Sequence, residues 1–122
     1  MKKSIKFKRF VFIETPYDGR TKKNIEYARA CVRDSLERGE SPFSSDLLYA
    51  QEGILDYKNS KERRLGTEAG TAWARNVRAV HIVYVDLGLT KEMHERVHRA
   101  REEGRRVEYM GLEERRVKKS RY

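Results

Sequence analysis

The chain has 122 residues, 39% of them charged and 38% apolar, with a formal net charge of +9. That length gives one domain with a core of its own and no room for a second, and the apolar residues fall in periodic runs that exclude a disordered chain. A single cysteine, Cys31, excludes a disulfide framework or zinc cluster, and no apolar run reaches the roughly 20 residues of a bilayer span.

Residues 7–14 (FKRFVFIE) read as a central strand that breaks at Thr15-Pro16 into a polar loop. A strand, a Pro/Gly loop and a helix N-terminus bring unpaired amides and a helix dipole together, a setting that favours an anion. The loop has neither GxGxxG nor P-loop spacing, so neither phosphate-binding fingerprint is supported. Asn24 to Arg38 form a predicted helix with the apolar stripe Ile25, Ala28, Cys31, Val32, Ser35 and Leu36, ended by Gly39. A short strand follows around Pro42-Phe43. Residues 44–59 then read as a long irregular stretch carrying Leu47, Leu48, Tyr49, Ile54, Leu55 and Tyr57; an apolar loop of that kind must pack on something, as a functional element or a subunit contact.

Ser60 is the expected N-cap of the next helix, whose buried face is predicted from Leu65, Ala69, Ala72 and Trp73. Gly66 and Gly70 leave a smooth stripe on it, suited to close approach of a backbone, partner helix or ligand, or to tight packing on the sheet. Residues 79–85 (AVHIVYV) are the clearest buried strand. Thr90 caps a helix to Glu103, Gly104 stops it, and 106–110 form the last strand. Strands alternating with helices imply a mostly parallel sheet covered on both faces, with ligands beyond the carboxyl ends of the strands. The loops that matter are then 14–23, 44–59 and 86–92. The domain is expected to span 1–112, followed by a basic, flexible tail at 113–122.

The positive charge suits an anionic partner, but basic residues alternate with acids, and with no nucleic-acid-binding motif present a nucleic acid ranks last among the partners. His81, inside a strand, reads as a core histidine; His94 and His98, four apart, lack a third ligand, so no metal site is expected. Tyr17 and Tyr49 sit in two of the three loops, where a phenol can stack on a base or bond a sugar, or else anchor the loop to the core. Arg20 and Lys22 are the phosphate candidates. No secretory leader pattern is present, so a soluble, cytoplasmic protein is expected.

ETPYDG with NIEYA, PFSSDLLYAQ, ILD, ERRLGTEAGTAW, VYVDLGLTKEM and EGRRVEY together resemble a phage and bacterial family related to the nucleoside 2-deoxyribosyltransferases, over about residues 8–111. The resemblance implies a three-layer, flavodoxin-like or Rossmann-like α/β sandwich that binds a nucleoside or nucleotide and needs no cofactor. Catalytic members of that superfamily attack the anomeric carbon with a helix-borne glutamate and protonate the base from an aspartate, which suits a cationic, oxocarbenium-like transition state. On that pattern Asp86 falls at an acidic position, Glu92 where a glycine admits the ligand, and Arg96 where the nucleophile is expected, with Glu95 one residue before it. Two expectations follow. In one, Glu95 or Glu92 is the nucleophile and Asp86 or Asp46 protonates the leaving base, with Tyr17, Asp18, Arg20 and Tyr49 around the ligand, so that an N-glycosidic bond is cleaved or transferred. In the other, the domain binds a nucleotide or nucleotide-derived messenger without hydrolysis, and Arg96 holds an anionic group. Self-association, with a neighbouring subunit closing the pocket, is expected in either case.

Overall fold

The computed structural model describes residues 8–17 and 21–112. Four strands form one parallel sheet: β1 (Phe10–Glu14), β2 (Ser41–Phe43), β3 (Val80–Tyr84) and β4 (Val107–Met110), in the order β2-β1-β3-β4. Four helices connect them: α1 (Lys22–Glu37), α2 (Ser45–Tyr49), α3 (Ser60–Asn76) and α4 (Lys91–Glu102). The register places Phe10 beside Ser41, Val11 beside Val80 and His81 beside Val107. This is the expected α/β sandwich of flavodoxin-like order. The chain moves from β1 outward to β2 and then returns past β1 to β3, so the order reverses between β1 and β3, where open parallel sheets leave a crevice at their carboxyl ends.

Side chains alternate across the strands, and each face has its own cover. Val11, Ile13, Ile82 and Tyr84 pack on Cys31, Tyr27 and Val32 of α1. On the opposite face Phe12 packs with Ala74 and Trp73 of α3, and Val83 with Met93 and Val97 of α4. Each fully buried large apolar side chain contributes about 1.5–3 kcal/mol relative to exposure, so these two layers supply most of the stability.

Several elements differ from the expectation. β1 begins at Phe10, and α1 two residues early at Lys22, because Thr21 accepts from the Asn24 amide as its N-cap. The stretch 44–59 contains α2, capped by the Ser44 side chain, and Asn59 rather than Ser60 caps α3, accepting from the Lys61 and Glu62 amides. The buried face of α3 is Gly66, Gly70 and Ala74; Leu65 is 59% exposed, and Ala69 and Ala72 are exposed too. The glycine stripe is thus the packing surface itself. The Tyr57 hydroxyl rests on Gly66, and a Cβ at Gly70 would stand 2.7 Å from the Ser45 Cβ.

The three long helices end alike. Gly39 after α1 and Gly104 after α4 have φ of 87° and 74°, and their amides, with those of Glu40 and Arg105, bond back to carbonyls of the last turn. Arg78 does the same after α3 at φ 51°, the one non-glycine residue with positive φ among the described residues.

A polar network ties the amino end of the sheet together. Arg9, just before β1, binds Glu40 ahead of β2 at 2.7 Å and Glu108 of β4 at 2.8 Å. Glu40 also accepts from Ser35 and Arg38, and Arg38 and the Tyr84 hydroxyl both donate to Asp34. Hydrogen bonds from Arg9, stronger here than the opposing effect of burial, hold the Glu108 carboxyl down at about 2.

Candidate functional site

Glu14 closes β1 on the α3/α4 face, where strand alternation places its carboxylate under the two helices, and it is fully buried. An isolated buried carboxylate would be driven neutral. Here Arg96, from the second turn of α4, supplies the counter-charge: its Nε donates to both Glu14 oxygens at 2.9 and 2.8 Å, and Nη2 lies 2.6 Å from Oε2. His81 of β3 adds a contact from Nε2 at 2.9 Å and stacks on Phe12 with ring centroids 4.9 Å apart. Burial pushes the Glu14 carboxyl up, but the Arg96 charge and the bonds from His81 and Arg96 outweigh it, and Glu14 is held below the usual carboxylate range. Burial likewise disfavours the Arg96 charge, while Glu14 and then Asp46 outweigh it and keep the guanidinium firmly protonated. Asp46, in the first turn of α2 and 7% exposed, stands 3.7 Å from Arg96 Nη2, beyond hydrogen-bond reach.

Three residues past Glu14, Tyr17 enters the wall of a cleft of about 790 Å3 that opens between the chain leaving β1 and the 52–58 segment, lined also by Ile54, Leu55, Tyr57, Lys58 and Arg63 among others. Its outer wall is fixed by backbone bonding. The Asp56 amide donates to Glu62, the Lys58 amide to Asp56, and Arg63 donates to the Tyr57 carbonyl at 3.1 Å. Tyr17 and Tyr57 pack together with Ala28, Ala50, Ile25 and Leu47. The Tyr57 hydroxyl is buried and finds no hydrogen-bond partner among the described residues, and its proton is held more tightly than usual by burial, then by the nearby Asp46 charge.

The structure thus gathers part of the expected constellation. Tyr17 lines the cleft, Asp46 and Arg96 meet at 3.7 Å, and Tyr49 is half-buried edge-on to Phe43 at 6.1 Å. Glu92 and Glu95 do not join them: both are exposed, Glu95 because a neighbour one residue from the inward-turned Arg96 points about 100° off, and Glu92 in the first turn, at the open end of α4. Asp86 also serves elsewhere, accepting from the Tyr27 hydroxyl at 2.7 Å and from the Leu112 amide at 3.0 Å. Asp18, Arg20 and the segment 113–122 lie outside the described residues. Glu14, Tyr57 and the 52–58 wall fall within the expected loops 14–23 and 44–59, though neither Glu14 nor Tyr57 is among the individual residues expected at the site; the signal for Glu14 is an acid in phase with Phe12 on a strand otherwise apolar on that face. Among the described residues no three His, Cys, Asp or Glu groups come together to hold a metal ion, and no helix is long and apolar enough to cross a membrane.

Fold and site define an open parallel α/β domain with a tyrosine-walled cleft at the carboxyl edge of its sheet. More particularly, the chain belongs to the family described as a domain of unknown function (DUF7768), whose profile matches residues 9–110. Comparison with curated proteins and with solved structures returns no significant match.

Proposed function

We propose that the protein binds a nucleoside or nucleotide in the cleft and retains it without cleaving the glycosidic bond. The observation that carries this reading is the Arg96–Glu14 pair. Where the resemblance to deoxyribosyltransferase-like proteins calls for a nucleophilic glutamate, the chain has a guanidinium, which cannot attack carbon, clamped on a fully buried carboxylate. The cleft supports binding: two phenols can cover a base, and the position outside the carboxyl end of β1 is where open parallel sheets take their ligands. Such a domain acts as a sensor or a sequestering protein.

Glycosidic cleavage is the second reading, and Asp46 is the observation that favours it. Its buried carboxylate lies farther from Arg96 than that of Glu14, at 3.7 against 2.6 Å, and sits on α2, whose Leu47 belongs to the same apolar cluster as the cleft-lining Tyr17 and Tyr57, so it is better placed than the exposed Glu92 or Glu95 to meet an anomeric carbon.

Incubation with a mixed pool of nucleosides, nucleotides and cyclic derivatives, followed by mass spectrometry of the supernatant and of material released on denaturation, separates the two. The binding reading expects one intact compound retained by the protein. Free base accumulating over many turnovers, abolished in Asp46→Asn, would establish the enzyme instead.

A further inference from the structure

Tyr57 combines three features that do not fit a fixed wall residue. Its hydroxyl is buried without a partner among the described residues, a costly position for a group that water would satisfy. That hydroxyl sits in a notch that exists only because residue 66 is glycine, since a Cβ there would overlap it. The hydroxyl rests on Gly66, one helical turn along α3 from Gly70, against which Ser45, the neighbour of Asp46, packs; the ring also lines the open cleft, and the charges of Asp46 and Arg96 both act on it. The backbone beneath the ring is held, with the Tyr57 carbonyl on Arg63 and flanking amides on Asp56 and Glu62, so the side chain can turn while the loop stays. Turned outward, the phenol gains hydrogen bonds to water and gives up ring packing against the cluster of Tyr17, Ala28 and Ala50.

We propose that Tyr57 is a displaceable plug over a polar subsite made by Asp46 and Arg96, which takes a group carrying a donor beside an acceptor, such as the amide edge of a nucleobase. Asp46 Oδ2 and Arg96 Nη2 are 3.7 Å apart, too far to bond each other well, while Glu14 anchors the guanidinium from the other side. An N–H of the ligand donates to the Asp46 carboxylate and the neighbouring carbonyl accepts from Arg96, giving two charge-assisted bonds where the phenol makes none. The plug stands independently of the nucleoside-binding reading; the identity of the incoming group rests on it.

Tetranitromethane nitration, read residue by residue from peptide masses, tests both parts. Tyr109, 50% exposed, and Tyr84, fully buried, serve as internal references. A displaceable Tyr57 nitrates within about tenfold of the Tyr109 rate, as local opening allows, and Gly66→Ala, by filling the notch, brings it level with Tyr109. Wild-type Tyr57 as unreactive as Tyr84 overturns the plug, whether or not the Gly66 variant folds. Saturating uridine or inosine should raise Tyr57 nitration, whereas N3-methyluridine and 1-methylinosine, which lack the donor, should not. Protection of Tyr57 by uridine or inosine would mean a ligand stacked on a fixed ring and would overturn the displacement. A reactive Tyr57 indifferent to every nucleoside would overturn the amide subsite, and count against the nucleoside-binding reading, while leaving the plug standing.

Discussion

Replacing Arg96 with methionine keeps much of the side-chain stem and removes the charge. Glu14 then stays fully buried with His81 as its one remaining side-chain partner among the described residues, in place of three short contacts from the guanidinium. Removing one partner of a buried ion pair costs about 3–5 kcal/mol, a large share of the 5–15 kcal/mol that holds a typical domain together. For a chain of this size that lowers Tm by about 10–20 °C at neutral pH. The pH dependence distinguishes this cause from lost packing. In the wild type the Glu14 carboxyl is held below its unfolded value of about 4.3, so its contribution is complete above that pH and fades as pH falls through the lower folded value. In Arg96→Met burial acts unopposed by the arginine and raises the carboxyl above 4.3, so the penalty is full at neutral pH and shrinks as acid protonates Glu14. The gap between the two proteins should therefore narrow on acidification from pH 7 to pH 4, and Glu14→Gln/Arg96→Met should lie within about 1–2 kcal/mol of wild type. Thermal and urea unfolding across that range provides the measurement. A gap below about 1 kcal/mol at pH 7, or one unchanged at pH 4, or a double variant as damaged as the sum of the singles, would refute the account of a buried charge held by its partner.

Arg78→Gly should raise stability by about 0.5–1 kcal/mol, seen as a higher urea midpoint at unchanged slope, because the residue ends α3 in a left-handed conformation that costs a side chain energy. Gly70→Ala should lower it by about 1–3 kcal/mol in the same assay, since its Cβ would meet Ser45 at 2.7 Å, with Phe12 3.4 Å away. Glu92→Gln and Glu95→Gln should change unfolding by no more than about 0.5 kcal/mol, as expected of exposed positions, and leave nucleoside retention by equilibrium dialysis intact. Asp86→Ala should cost about 0.5–1.5 kcal/mol by removing the acceptor of the Tyr27 hydroxyl and of the Leu112 amide at a position water can reach, again with retention unaffected.

Alternation and capping made most of the architecture legible: FVFIE and AVHIVYV could hardly be anything but buried strands, and Gly39, Thr90 and Gly104 mark helix boundaries within a residue. The face of α3 was misread for a definite reason. Glycine carries no hydropathy, so the pattern selects Leu65, Ala69 and Ala72, while the helix turns Gly66 and Gly70 inward to seat Tyr57 and Ser45. Arg96 was legible as an oddity, but its partner was not, because Glu14 lies 82 residues away and only the parallel register of β1 and β3 brings α4 over it. Tyr57 was visible as an apolar residue in need of packing; its orphaned hydroxyl depends on backbone approach that no local pattern encodes.

The way α1, α3 and α4 end has a consequence for how this scaffold can be altered. At the amino rim of the sheet each helix reverses through one positive-φ residue and re-enters a strand within about four residues, with Arg9 stitching β1 to the approach of β2 and to β4. Any inserted residue there breaks a capping bond or shifts a strand register. The opposite rim, apart from the one-residue step from β2 to α2, is built of longer segments (15–21, 50–59 and 85–90), and lengthening such a segment twofold costs only about 0.6 kcal/mol of closure entropy. One rim is therefore a chassis and the other a replaceable cassette, so grafted loops for new ligands belong after Tyr17, around Gly53 or after Asp86.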